Sequence, residues 1–209
     1  ALTVDILRLT GDPRAADELE LTTWNQVLAA QHPSGSWWTY DTPLNGQRRP
    51  SFHDINFQWR PGYPELNCCS VNAPRGLSML AEWAVMQDEG GFTVNYYGPG
   101  RFDLPLPGDG MLRLTLDTAY PVEGDIRIGV APSRPWDGAL RLRIPGWTER
   151  AQVQVNGEAT RDVEPGVYVT LDRTWREGDA ILLTLDMTQR VWPGAGARSS
   201  SRAHSGIKP

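Results

Sequence analysis

At Gly90-Gly91 the hydrophobic pattern of the chain changes period, and that change limits what the chain can fold into. Before the glycines, apolar residues recur at helical spacing; after them, they alternate with polar ones. Leu21, Trp24 and Leu28 form an i, i+3, i+7 stripe, with Leu19, Thr23, Val27 and Ala30 beside it, a broad helical face to bury. Asp12 is placed to cap that helix and Pro13 to occupy its first position. A second helix is predicted from about Asn72 to Gln87, with Leu77, Leu80, Ala81 and Ala84 on one face and Met79, Trp83 and Met86 on another. A helix apolar almost all round is buried. From Gly91 onward, "FTVNYYG", "MLRLTLDTAY", "GDIRIGVA", "GALRLRIPG", "AQVQVNG", "GVYVTLD" and "DAILLTLDM" alternate and are bounded by turn residues, with Asn156-Gly157 as a hairpin turn. Short strands so spaced predict an antiparallel β-sandwich. The fold class is therefore α + β, with helices over 1–90 and a sandwich over 91–190. Residues 191–209 carry neither period, are rich in Ser, Gly and Arg, and are predicted to be a disordered tail. Lys208, the single lysine among 20 Lys and Arg residues, marks that tail as foreign to the rest of the sequence.

Composition narrows the partners. Twenty Lys and Arg stand against 25 Asp and Glu, a net charge of −5 without a basic cluster, which argues against nucleic acid. No apolar run approaches the roughly 18 residues of a membrane-spanning helix, so no membrane partner is expected. Nine Trp residues suit a protein that handles sugars, whose apolar ring faces pack on aromatic side chains, and suit a Trp-rich β core equally well. The opening "ALTVDILRLTGDP" has no initiator Met and no signal-peptide layout. It reads as the end of a helix begun upstream, so the chain is expected to be a piece of something longer. Residues 31–66 form a long connection containing Trp37, Trp38, Tyr40, His53, Trp59 and Tyr63, and connections of that length in compact domains are commonly functional.

Both cysteines of the chain, Cys68 and Cys69, are adjacent within "PELNCCSVNAPRG". Neighbouring Cα atoms lie about 3.8 Å apart, whereas disulfides prefer about 4.4–6.8 Å, so a bridge between them is a strained eight-membered ring. Such a bridge also closes almost no loop and stabilises little. Two readings stay open. Cysteine is a frequent core residue, and the pair is then structural. Alternatively, the helix start favours thiolate, the reactive and metal-binding form. Two thiolates supply half of a four-coordinate zinc shell. His32 and His53 are ligand types but stand at no ligand spacing, which leaves them as ordinary loop histidines. Glu65, three residues before Cys68, is either a ligand or acid, or a solvated loop carboxylate.

The segment "NCCSVNAPRGLSMLAEWAVMQDEGGFTVNYYGPG" resembles the β-L-arabinofuranosidase-type glycoside hydrolases, where Cys-Cys-x-x-Asn-x-x-Arg opens a helix that ends before a Val-Asn-x-Tyr strand. Cys68, Cys69, Asn72 and Arg75 match the first motif, and Val94, Asn95 and Tyr97 the second. Arg143, Ile144, Pro145, Gly146 and Trp147, then Val155, Asn156 and Gly157, match further marks, so the resemblance covers about 1–190. It implies that residues 1–90 are the closing helices of an (α/α)6 barrel. It implies a retaining glycosidase in which Cys68 is nucleophile and zinc ligand, Cys69 is a zinc ligand, and Tyr40 and Trp38 stand near the sugar. The substrate class implied is terminal L-arabinofuranosyl or related residues, as in plant cell-wall arabinosides. The family's remaining zinc ligands, a Glu and a third Cys, and its acid/base Glu lie upstream of the segment matched here. The resemblance therefore implies a fragment inactive by itself. The reading from another class is a noncatalytic carbohydrate-binding or scaffolding module.

Overall fold

The computed structural model describes residues 1–40, 58–60, 63–66, 68–192 and 206–207. The chain falls into two compact units, Ala1–Met86 and Gln87–Pro209.

Helices dominate the first unit. Helix α1 (Leu2–Thr10) buries Val4 and Leu7 and ends at Gly11, whose left-handed φ of 61° closes it. Helix α2 (Pro13–Thr22) starts as its sequence predicts: the Asp12 carboxylate accepts from the Arg14 N–H, with Pro13 at the first position. The Arg14 guanidinium also grips this carboxylate and holds its pKa below the usual aspartate value. Instead of continuing regularly, the helix widens into a π-helical turn, Thr23–Leu28. Two short strands, β1 (Gln58–Arg60) and β2 (Tyr63–Leu66), pair antiparallel ahead of helix α3 (Cys68–Ser78) and helix α4 (Leu80–Trp83).

The second predicted helix is thus displaced and divided. It begins at Cys68 rather than Asn72, breaks at Met79, and gives way at Val85 to strand β3 (Val85–Asp88). Pro74, which lacks an N–H for the helical ladder, is accommodated inside α3. Nor is the helix buried all round. Trp83 and Ala84 are buried, whereas Val71 is 65% exposed and Ala81 is exposed.

The second unit carries the alternating sequence. Its strands are β4 (Gly91–Val94), β5 (Gly100–Leu106), β6 (Gly110–Thr118), β7 (Asp125–Pro132), β8 (Trp136–Arg143), β9 (Ala151–Val155), β10 (Arg161–Val163), β11 (Tyr168–Trp175) and β12 (Asp179–Leu185). They form a six-stranded sheet in the order β10-β9-β12-β7-β6-β5 and a four-stranded sheet in the order β11-β8-β4-β3. Pairing is not antiparallel throughout, because β4 runs parallel to β8 with Gly91 opposite Ala139. Only glycine fits there: φ is 151°, and a Cβ would sit 1.9 Å from the Ala139 carbonyl oxygen.

Alternation fills the interior of this unit. Leu112, Leu114 and Leu116 of β6, Ile126, Ile128 and Val130 of β7, and Ile181, Leu183 and Leu185 of β12 are buried, with their neighbours turned outward. The four-stranded sheet buries Phe92, Val94, Leu140, Leu142 and Trp175. Asn156 and Gly157 both take positive φ (51° and 73°), the signature of the predicted tight turn. The loop they head is wider than a two-residue hairpin, since the last paired residues are Val153 and Arg161. Of the predicted tail, Val191–Trp192 pairs antiparallel with Gly206–Ile207, and 193–205 lie outside the described residues.

Candidate functional site

The two cysteines occupy the first two positions of α3. Both are reduced, with Cys68 exposed and Cys69 half-buried. Their Sγ atoms lie 3.9 Å apart, far beyond the roughly 2.05 Å of a disulfide bond. The turn beneath them is tied by Asn72, whose Nδ2 donates to the Cys68 carbonyl at 2.9 Å. Asn72 thus serves the backbone of the cysteine turn. Arg75, the last residue of that motif, is exposed one turn further on, and its carbonyl accepts from the Ser78 hydroxyl at 2.9 Å.

That spacing bears on the metal question. Two thiolates on one tetrahedral ion, each about 2.3 Å from it, stand about 3.8 Å apart. The observed separation of 3.9 Å fits two of the four places in such a shell. Among the described residues, no group of three or more His, Cys, Asp or Glu side chains is gathered to hold an ion. Two thiols alone would supply half of such a shell. Of the weighed ligands, His53 and the side chain of Glu65 lie outside the described residues. His32 is engaged locally, stacked on Trp37 at 4.3 Å and hydrogen-bonded through Nδ1 to the Ser34 hydroxyl at 2.8 Å.

Of the two rings assigned to the sugar, Trp38 is buried at 8% exposure and its indole N–H donates to the Val27 carbonyl at 2.9 Å. Tyr40, at 42% exposure, is the one that reaches solvent. Val27 joins the aromatic connection to the cysteine helix. Its carbonyl anchors Trp38, and its side chain packs so closely on Gly76 of α3 that a Cβ there would lie 2.9 Å from Val27 Cγ2. Sequence reasoning placed Val27 on a buried helical face but missed its contacts with Trp38 and Gly76, and missed Gly76 itself. A glycine inside an otherwise helical pattern is the signal that marks such a close approach.

The remaining motif marks converge elsewhere, in the second unit. Arg143, fully buried at the end of β8, donates from Nε to the Asn95 carbonyl at 2.7 Å and lies over the Tyr97 ring at 5.8 Å. The Tyr97 hydroxyl donates to the Arg143 carbonyl. Tyr168 donates to Asn95 Oδ1 at 2.5 Å. Tyr97 meets Tyr120 edge-on at 6.1 Å, and Tyr120 stacks on Trp147 at 6.4 Å. The Val-Asn-x-Tyr and Arg-Ile-Pro-Gly-Trp motifs, 48 residues apart at Asn95 and Arg143, thus form one buried network. The Arg143 Nε, the Asn95 carbonyl and Oδ1, and the Tyr97 and Tyr168 hydroxyls each find a partner here, so the motifs fix how the strand ends meet.

Comparison with known proteins agrees with this division. Residues 1–82 match the catalytic domain, and residues 91–187 the middle domain, of the GH127 β-L-arabinofuranosidases. Among solved structures, a glycoside hydrolase is 28% identical with a TM-score of 0.74, over 90% of this chain and 31% of that one. A GH127 β-L-arabinofuranosidase from Geobacillus stearothermophilus T6 is 25% identical with a TM-score of 0.72, over 91% of this chain and 30% of that one. The GH127 β-arabinofuranosidase BT3674 is 26% identical with a TM-score of 0.72, over 90% and 31%. The chain thus spans about a third of the length of these structures. No curated protein matches it. With the catalytic and middle domains of that family matched in order, the chain belongs to the GH127 β-L-arabinofuranosidase family.

Proposed function

We propose that this chain is the nucleophile-bearing part of a retaining glycoside hydrolase that removes terminal L-arabinofuranosyl or related residues from carbohydrate. On this reading the helices of the first unit close an (α/α)6 barrel, and the two sheets of the second are its β-sandwich. One observation carries the reading: two thiols 3.9 Å apart open helix α3, inside the segment that matches a glycosidase catalytic domain. That location favours an enzyme over the carbohydrate-binding module, because a module has no need of paired, solvent-reaching thiols.

Cys68, the more exposed thiol, is the nucleophile. Its sulfur attacks the anomeric carbon; the C–S bond forms as the bond to the leaving oxygen breaks, and that oxygen takes a proton from an acid. Water then attacks the same carbon, the C–S bond breaks, the sulfur leaves as thiolate, and a base takes the water's proton. Two inversions give net retention, and one difficult displacement becomes two easier ones. Cysteine here replaces the usual carboxylate nucleophile of retaining glycosidases. Cys68 and Cys69 would hold a zinc ion, which supplies the positive charge that keeps a coordinating thiol deprotonated. The other two ligands and the acid/base Glu would come from other parts of the enzyme. Tyr40 faces the sugar, and Trp38, anchored on Val27, lines the segment that presents it.

The test is to trap the covalent intermediate. The full-length protein is mixed with an aryl β-L-arabinofuranoside, quenched in acid and digested for mass spectrometry. A pentosyl group is expected on the peptide at Cys68 and is expected to vanish in Cys68→Ser. Turnover without any sulfur-bound sugar contradicts the mechanism, and arabinoside binding without turnover favours the module.

A further inference from the structure

The thiol pair has a second chemistry that does not depend on glycosides. Successive side chains on a helix point about 100° apart, so adjacent residues do not ordinarily face each other. Yet the Cys68 and Cys69 sulfurs converge to 3.9 Å at the start of α3. Closing that gap to the roughly 2.05 Å of a disulfide is opposed by the helical backbone, which holds the Cα atoms about 3.8 Å apart. A bridge through one atom meets no such obstacle. Two bonds to sulfur of about 2.3 Å span about 3.8 Å at a tetrahedral angle, and somewhat less at the narrower angle of a pyramidal centre. Cys68 is exposed and Cys69 half-buried, so a small reagent can reach the pair from solvent. The bond from Asn72 Nδ2 to the Cys68 carbonyl holds the turn in place.

We propose that Cys68 and Cys69 together form a covalent chelation site for trivalent organoarsenicals. The reaction balances without any redox step. An arsenoxide, R–As=O, meets two thiols; two As–S bonds form, the As=O bond breaks, and the oxygen leaves as water with both thiol protons. Arsenic remains trivalent throughout. The site is independent of the glycosidase reading, although zinc held by the same sulfurs competes for it. The probe is therefore applied to chelator-treated protein.

The experiment adds a several-fold excess of phenylarsine oxide to the 209-residue chain and measures intact mass and remaining thiols. One arsenic per chain with loss of both thiols is expected. The adduct should survive millimolar glutathione and be stripped by 2,3-dimercaptopropanol. In Cys68→Ser and Cys69→Ser, glutathione should remove the adduct about 100-fold faster or more, the lower part of the gain from linking two attachments. Uptake of two arsenic groups per chain overturns the proposal, as does a wild-type adduct lost as fast as that of either variant. Neither result touches the glycosidase reading, which is judged by sugar on Cys68 and by turnover.

Discussion

The two units spend their apolar residues differently. In the β unit the alternating strands turn their large side chains inward, and Leu112, Leu114, Ile126, Ile128, Leu140, Leu142 and Leu183 are fully buried. In the helical unit, Leu2 (74%), Leu9 (84%) and Val71 (65%) remain exposed. The polar motif residues divide the same way. Asn95 and Arg143 are buried and bonded to each other, whereas the cysteine motif reaches solvent at Cys68. The lesson is that one family pattern meets two environments: its marks in the β unit are buried and bonded to one another, and its marks on α3 leave a thiol open to solvent.

Substitutions put that contrast to the test. The largest effect is expected in the β core. Trp175 is fully buried and its indole N–H donates to the Gly138 carbonyl at 3.0 Å. Trp175→Ala should cost about 3–5 kcal/mol in denaturant unfolding of the β unit, and a loss under 1 kcal/mol would show that core to be loosely packed. Next comes Trp38→Phe, which keeps a ring but orphans the Val27 carbonyl. It should cost about 1 kcal/mol, and hydrogen exchange should quicken around residues 23–40 while β6 and β7 are unchanged. Faster exchange in both units would mean that they do not unfold independently.

Smaller again is Leu9→Gln. A residue 84% exposed should change stability by no more than about 0.5 kcal/mol in the isolated chain. A loss of several kcal/mol would contradict the openness of α1. The smallest effect concerns pH. The Arg113 guanidinium donates to Asp103 across β5 and β6 at 2.7 Å and holds its carboxyl below the ordinary aspartate value. Stability from this pair is present above the unfolded aspartate pKa and is lost as pH falls through the lower folded one. Arg113→Gln should raise the Asp103 midpoint in an NMR titration; an unchanged midpoint would show that the pair does not form.

How much of this was legible depended on where each element lies. All seven strands read from alternation are present: six have neighbours on both sides, and β11, at an edge, still buries Leu171 and Trp175. Within the two large sheets the strands missed are β3, β5 and β10, all at edges, and the pairs β1–β2 and Val191–Trp192 with Gly206–Ile207 were read as connection and tail. In β5, Pro105 argues against a strand, yet an edge tolerates a residue without an N–H. Strand β10, Arg161–Val163, is too short and polar to show any period. The parallel pairing of β4 with β8 was hidden as well, since alternation reports which face is buried and not strand direction. At the candidate site, the adjacent cysteines announced themselves and geometry bore out that they are not bridged. Their convergence to 3.9 Å could not be read, because rotamers and the exact helix start decide it. The role of Val27 was hidden too: it depends on a π-helical turn that its own sequence does not signal.

The central claim is that the exposed thiol at the head of α3 is the nucleophile of a glycosidase. The most direct measurement is the steady-state hydrolysis of an aryl β-L-arabinofuranoside by the full-length protein, with wild type and Cys68→Ser compared and folding of both confirmed by circular dichroism. Turnover should fall to background in Cys68→Ser while the spectrum is unchanged. Hydrolysis at the wild-type rate by folded Cys68→Ser would contradict the account.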